Sequence, residues 1–464
     1  VLWTWLACGT DGTRPPAGDD DDAPHSGIIP PTDPEPTVAA ALTRVTHRLH
    51  DEFGTIVIAS WTQDVAATVH VEFTVDGVAR SSPERQLPAG AHEELLLGLP
   101  YSADTTFRVV ARNAAGTSSS PDADARTGEP PAGLQAPVSV VSVAPDPAIP
   151  YVLASLPPID GNLGSRWWTT IVDRRGRAVW ARQSAPDRMT LHPRTTWGGD
   201  ALLVDQNSYW PEFAGGLDGT VEELTLDGTV RHVFDTPGLH HPFTPLPDGA
   251  LAFGSFEWPY QNESLVVVGR DGTSEVRFDC MAWLASIGET DEYCGSNTLN
   301  YDAPSDTFVM SFYSFDTIVQ LDAPTGAPLA WFGHVAGTWA FDPPSSTFWW
   351  QHGAHLRADG ALVTSTYDAL PPSELVVRVY ALDAPARTLR QLEVYGEGEG
   401  VFGEQLGEVS ELPSGNVLHN YGTLPRLREF TPEGDVVWDV AWGGGDLGRT
   451  TPLADLYALA GPRP

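Results

Sequence analysis

The sequence predicts an all-β protein: a β-propeller preceded by a smaller β-sandwich. Three observations carry this expectation. Short apolar runs alternate with Asp-Gly, Ser-Gly and Glu-Gly turns over most of the chain. Gly (45) and Pro (41) are abundant among 464 residues, which favours short strands and many turns over long helices. A hairpin frame also recurs, in Leu239-His240-His241-Pro242-Phe243 through Gly249, in Trp349-Trp350-Gln351-His352-Gly353-Ala354-His355 through Gly360, and in Gly407-Glu408-Val409-Ser410-Glu411-Leu412 through Gly415. The run Asp306-Thr307-Phe308-Val309-Met310 fills the gap between the first two. Successive turns then fall about 55 residues apart, the period of a four-stranded blade with extra loops. Residues 138–464 divide into about six such blades. A pair of β-sandwiches is the alternative, and it would not need a repeat.

The chain opens on Val1-Leu2-Trp3-Thr4-Trp5-Leu6-Ala7, apolar but far too short for a membrane span. Residues 1–8 read as the remnant of an export signal. Leu6-Ala7-Cys8-Gly9 is similar to a bacterial lipoprotein processing site, with Trp5 where a Leu is usual, and makes Cys8 a lipidation candidate against simple secretion. Residues 9–37 carry Asp19-Asp20-Asp21-Asp22 and a Pro-rich run through Pro36. Proline and like charge both oppose packing, so an extended acidic linker is expected. The expected location is outside the cytosol, periplasmic or at the cell surface, with the membrane reached only through a lipid at Cys8.

Residues 38–128 alternate in short strands such as Thr55–Thr62, Thr68–Val75 and Thr105–Gly116, the pattern of a β-sandwich. This segment resembles a fibronectin type III domain. Trp61 takes the place of that family's core Trp, and Phe107-x-Val109-x-Ala111-x-Asn113 its penultimate strand, with Phe107 where a corner Tyr is usual. Spacing or docking is its expected role. Thr127-Gly128-Glu129-Pro130-Pro131 reads as the exit linker.

The net charge is −35. A surface this acidic repels nucleic acid and anionic lipid, so neither is expected as a partner, and an anionic substrate needs a local positive site. Of three cysteines, Cys280 and Cys294 are close enough in sequence to close a disulfide loop contributing about 3 kcal/mol, against two free buried thiols. No zinc-type histidine pair, phosphate-binding glycine loop or Gly-x-Ser-x-Gly elbow occurs, and no cofactor is expected.

In a propeller the inner strand of each blade faces one axis, so equivalent positions far apart in sequence converge. His240/His241 and His352/His355 precede equivalent turns and are expected over one funnel, where imidazole can act as nucleophile, metal ligand or proton carrier. The bland readings stand beside this. His240 and His241 can cap a turn before Pro242, His352 can be a core imidazole under Trp349 and Trp350, and these tryptophans read as blade packing. Strand alternation predicts that only one of His352 and His355 faces the axis, His352 being preferred.

At these residues the chain resembles the bacterial aryl-sulfate sulfotransferases. The features are His-His before Leu-Pro-Asp-Gly, Trp331-Phe332-Gly333, Gln351-His352, and Gly407-x-x-x-x-Leu412-Pro413-x-Gly415-Asn416-x-Leu418 followed by Leu427-Arg428-Glu429-Phe430 and Val436-Val437-Trp438. The resemblance implies a six-bladed propeller that moves a sulfuryl group between phenols through a histidine, without a nucleotide. Its partners would be small phenols and aryl sulfates. His241 and His352 match the family's site histidines, with His240, His355 and Arg378 in reserve. The histidine expected before the last turn has no counterpart, since Glu408, Val409 and Ser410 fill that region. A catalytically inactive propeller that binds a ligand at the cell surface or in the periplasm is therefore the alternative.

Overall fold

A computed structural model of the chain describes residues 36–159, 166–208, 218–257, 262–290 and 292–461. Cys8 and the acidic runs up to residue 35 lie outside them. The described residues are β-strands joined by turns, with one short α-helix, Cys280–Ile287. Asp279 caps that helix by accepting the N–H of Ala282, and Gly288 ends it in the left-handed conformation.

Residues 42–126 form two packed sheets. Leu42–Leu49, Val57–Gln63 and Gly90–Leu96 make one; Ala67–Val75 and Asp104–Asn113 are central in the other. Their alternation is legible along Ala67–Val75, where Ala67, Val69, Val71, Phe73 and Val75 point inward and the intervening residues are half-exposed. Trp61 and Phe107 sit in this core.

Among the described residues six sheets of four or five strands follow, antiparallel except where Ala340–Asp342 pairs parallel with Thr388–Tyr395. Their inner strands are Arg194–Thr195, Leu239–Pro245, Ser296–Asp302, His352–Leu356, Glu408–Glu411 and Thr450–Leu453. Most neighbouring inner strands touch, and His192 bridges the first to the second through the His241 carbonyl. They therefore close a ring, the arrangement of a β-propeller. Two exchanges of chain seal it. The last strand, Thr450–Leu453, pairs with Tyr151–Leu156 of the first sheet, and Pro137–Ser142 joins the outer edge of the last sheet against Val436–Trp442. Both ends are thereby tied into ladders.

The sandwich does not hang from a linker. Phe53, Ile56, Ile58, Leu95 and Leu97 share one buried core with Tyr151, Leu153, Trp180 and Leu226 of the propeller. Phe53 stacks on Trp180 with ring centres 5.1 Å apart. Asp76 pairs with Arg175 and Arg177 across the same junction, and the Arg177 hydrogen bond, helped by both positive charges, holds its carboxyl below the usual range against the opposing effect of burial. The segment read as an exit linker is held too, since Gly128 donates its N–H to the Gly54 carbonyl.

Candidate functional site

Each inner strand carries a polar residue within two positions of its start. Around the ring these are His192, His241, Asn297, His352, Glu408 and Arg449, all buried. The arrangement follows from local chain geometry. Regular alternation would turn consecutive residues to opposite faces, but the second, third and fourth of these inner strands slip register at these positions, between Leu239 and Phe243, Ser296 and Thr298, and His352 and His355. Such bulges re-aim side chains. In the fourth, His352–Leu356, Gly353 makes the turn with φ +66°, and an added Cβ would lie 2.9 Å from the Glu408 Cα.

His352 is the best-defined member. Its Nδ1 lies 2.8 Å from the Trp350 carbonyl, which cannot donate, so Nδ1 carries the proton and Nε2 keeps its lone pair. No hydrogen bond to Nε2 is present among the described residues. Burial pushes this imidazole down to about 4, outweighing the Trp350 hydrogen bond. The backbone around it is pinned from both sides. Asn297 donates to the Gln351 carbonyl (2.8 Å), Thr364 donates to the His352 carbonyl (3.0 Å), and the Gly353 N–H donates to Thr298 Oγ1 (2.8 Å). Gln351 itself is anchored on Ser311 and the Phe312 carbonyl.

His241 faces the same axis. Burial drives it down to about 3, and the charge His352 would carry adds to the effect. The two rings are thus near enough for protonation of one to oppose that of the other. His192 touches His241 with ring centres 5.7 Å apart, and its Nδ1 bonds the His241 carbonyl. Asp205 accepts the backbone N–H groups of Leu191 (2.8 Å) and His192 (2.9 Å), which fixes this loop.

Aromatic rings lead from the histidines to solvent. Tyr313 lies 6.5 Å from His241 and 5.9 Å from Trp350; Trp350 stacks on Tyr367 at 6.2 Å, and Tyr367 meets Phe402 at 5.4 Å. Trp350 is 37 % exposed and adopts φ +48°, costly for a bulky side chain. The strain is held by Asp316, which accepts the Trp350 N–H at 2.6 Å, and by the His352 bond to the Trp350 carbonyl. Trp350 is therefore not simply blade packing, as its sequence context predicted.

Glu408 opens the stretch, Glu408 to Ser410, that stands where the family resemblance implies a third histidine. It accepts the Thr450 N–H at 2.8 Å and lies 3.3 Å from Arg449. Burial raises its carboxyl to about 7 against the lowering effect of Arg194 and the Thr450 hydrogen bond.

The reserve residues fall elsewhere. His240 turns into its own sheet, 3.6 Å from Glu263 and against Phe256. Burial lifts Glu263 to about 8 although Ser296 hydrogen-bonds it. His355 also faces the axis, contrary to the alternation argument, because the bulge at Gly353 inserts an extra residue. It sits at the opposite end of the inner strand, 2.7 Å from Glu411. Arg378 lies two strands out from the axis, bonded to Gln391 and the Asp368 carbonyl, and touches neither His241 nor His352. Cys280 and Cys294 are joined in a disulfide with Cα atoms 6.1 Å apart, clamping the helix to the following loop. Among the described residues no cluster of three His, Cys, Asp or Glu is arranged to hold a metal, and no helix is long and apolar enough to cross a membrane.

His192 and Arg449 escaped the sequence reading. A signal existed for the first: His192-Pro193 repeats His241-Pro242 one sheet earlier. Arg449 follows a Gly-rich stretch with no hairpin frame of its own, because its strand completes the sheet begun by Tyr151–Leu156.

No family model and no curated protein matches the chain. Several solved structures are similar to it. A Bacteroides caccae protein of unknown function is 15 % identical, with TM-score 0.43, and covers 65 % of this chain and 98 % of its own. Virginiamycin B lyase from Staphylococcus aureus is 9 % identical, with TM-score 0.39, covering 68 % and 99 %. The Cps50 (Swd1) β-propeller domain from Myceliophteria thermophila is 13 % identical, with TM-score 0.38, covering 61 % and 85 %. At these scores the likenesses carry no functional argument, and the propeller reading rests on the ring of sheets itself.

Proposed function

We propose that this chain is a six-bladed, aryl-sulfate sulfotransferase-like propeller behind a fibronectin type III-like module. It moves a sulfuryl group between phenols by way of His352. The observation that carries the reading is the state of His352: a neutral imidazole with a fixed tautomer and a free Nε2, beside His241 and at the inner end of an aromatic path. A phenyl ring fits such a path by stacking and edge contact.

The chemistry follows in two balanced steps. Nε2 of His352 attacks sulfur, the sulfur–oxygen bond to the aryl group breaks, and the electron pair leaves on the phenolate oxygen. The acceptor phenol then attacks sulfur, loses its proton, and the nitrogen–sulfur bond returns its pair to Nε2. The phenolate released in the first step takes up a proton from solvent, and the acceptor phenol gives one back in the second. A bound sulfuryl anion would supply the negative charge the buried imidazoles lack and raise their pKa values, so His241 becomes a hydrogen-bond donor to it.

Purified protein given a chromogenic aryl sulfate and a phenol should release chromophore in an acceptor-dependent manner, and intact-mass analysis without acceptor should find one sulfuryl group on His352. His352→Ala should abolish both. Absence of turnover and of the adduct in folded protein would leave the inactive ligand-binding propeller as the better reading.

A further inference from the structure

Beyond the histidines, the far ends of the inner strands enclose an open cavity of about 450 Å³, within the range of small-molecule sites. Gly353 and Glu408 belong both to its wall and to the ring around the axis, so the cavity continues the axial site rather than forming a second one. His241 and His352 do not line it. Five charged side chains do: Arg194, His355, Glu408, Glu411 and Arg449.

Pairing accounts for four of the five. Arg449 lies 3.3 Å from Glu408, and His355 lies 2.7 Å from Glu411. Arg194 is left over. Its Nη1 donates to the Asn300 side chain at 2.9 Å and its Nη2 to the Leu299 carbonyl at 3.3 Å. Both acceptors are neutral, so they fix the guanidinium without cancelling its charge. Two of its five N–H groups are used in this way. Among the described residues no carboxylate forms an ion pair with it. Glu408 acts on it electrostatically but is engaged by Arg449 and by the Thr450 N–H. Burial lowers the Arg194 guanidinium, yet arginine stays charged in proteins. A half-buried cation without a counter-charge is costly, and a bound anion relieves that cost.

The sign of the whole wall agrees. With His355 protonated and both carboxylates ionised, Arg194, Arg449 and His355 stand against Glu408 and Glu411, an excess of one positive charge. Against the lowering effect of burial, the Glu411 carboxylate raises the His355 imidazole above its ordinary value. Burial raises Glu408 to about 7 against Arg194 and the Thr450 hydrogen bond, so mild acid removes one of the two negative charges. In a chain of net charge −35 this mouth is a local positive site. Hydroxyls of Thr244 and Ser410 line the same wall and can donate beside the guanidinium. We infer that this mouth of the axial site binds a small monoanion, a carboxylate or sulfonate head group whose oxygens take the unused N–H groups of Arg194. The inference stands on the cavity's own charges and does not rest on sulfuryl transfer.

The full chain would be mixed with acetate, methanesulfonate and neutral acetamide in a zwitterionic buffer, each at about 10 mM, a concentration that fills most sites even at millimolar Kd. Saturation-transfer NMR would read binding at the methyl protons. At about pH 6 we expect transfer to at least one anion, none to acetamide, and about tenfold weaker binding in Arg194→Gln. Between about pH 6 and about pH 8 binding should weaken severalfold, as Glu408 ionises among Arg194, Arg449, His355 and Glu411 and His355 loses its proton. Glu408→Gln should tighten binding at the higher pH, a gain that unfolding cannot produce. Circular dichroism would report whether Arg194→Gln is folded. Equal transfer to acetamide, unchanged binding in folded Arg194→Gln, or no gain in Glu408→Gln would overturn the inference. His352→Ala should bind the anions as the parent does while losing sulfuryl transfer, so the two readings fail separately; anion binding lost in that variant would place the anion at the histidines and overturn the inference as well.

Discussion

At the scale of single residues the site is defined by imidazoles kept neutral. Burial lowers His352 to about 4 and His241 to about 3, so both remain unprotonated across the ordinary pH range. The acid limb of kcat/KM for an aryl sulfate should therefore lie near pH 4, not near 6.5, the ordinary histidine value. A pH–rate profile checks this; an acid limb centred at 6.5 would remove His352 as the nucleophile.

Glu263 supplies a second test at the same scale, this time through stability. Its folded pKa, about 8, lies above the ordinary 4.5, so the folded state holds a proton that the unfolded state has lost. That contribution is fully present below 4.5 and is lost as pH rises through 8. The lowered histidines act in the opposite direction, but only below 6.5, where the unfolded chain takes up their protons first. Between pH 6.5 and 8, Glu263→Gln should flatten the fall in unfolding free energy by up to about 1.4 kcal/mol per pH unit. Urea titrations at several pH values would measure it, and identical slopes in the two proteins would show that Glu263 is not the group responsible.

At the scale of elements, the inner strands matter through their irregularity. A regular strand would present His352 or His355 to the axis, not both. The bulge at Gly353 presents His352 to one end and His355 to the other, and it needs a positive φ with no Cβ, because Glu408 and Val409 lie 2.9 and 3.0 Å from where that atom would be. Gly353→Ala should cost more than about 1 kcal/mol of stability and displace His352. The expected readout is a lower Tm together with a loss of turnover larger than the loss of folded protein. Full activity in this variant would mean that the bulge does not position the histidine.

Much of this element-level picture was legible in the sequence. The hairpins at 249, 360 and 415 placed three inner strands, because turn glycines and apolar alternation are local signals. His241 and His352 came with them. His355 was assigned to the wrong face because a bulge is decided by packing against the neighbouring strand. Arg378 was proposed on proximity in sequence to the second hairpin, whereas hydrogen-bond register places it two strands away.

At the scale of the whole molecule, charge and closure dominate. A net charge of −35 repels an anionic aryl sulfate before it reaches the axis. Raising ionic strength from about 10 mM to about 0.15 M shortens the screening length from about 30 to about 8 Å, so KM for an aryl sulfate should fall while that for a neutral phenol stays constant. Steady-state kinetics at the two salt concentrations decide it; a KM for the sulfate that is indifferent to salt would mean that a local field outweighs the global one. Closure is just as collective. The sandwich and the propeller share the core around Phe53 and Trp180, so the segment expected to serve spacing or docking is a wall of the same folded body.

By itself the sequence determined what is local: strands from alternation, turns from glycine, a repeat from spacing, two histidines from their place in that repeat, and an acidic surface. Tertiary structure alone decided which polar residue each inner strand turns to the axis, and that His192, Glu408 and Arg449 complete the ring. The reason is physical. A residue's burial, protonation and direction depend on neighbours hundreds of positions away in the chain, and those neighbours are set only when the ring closes.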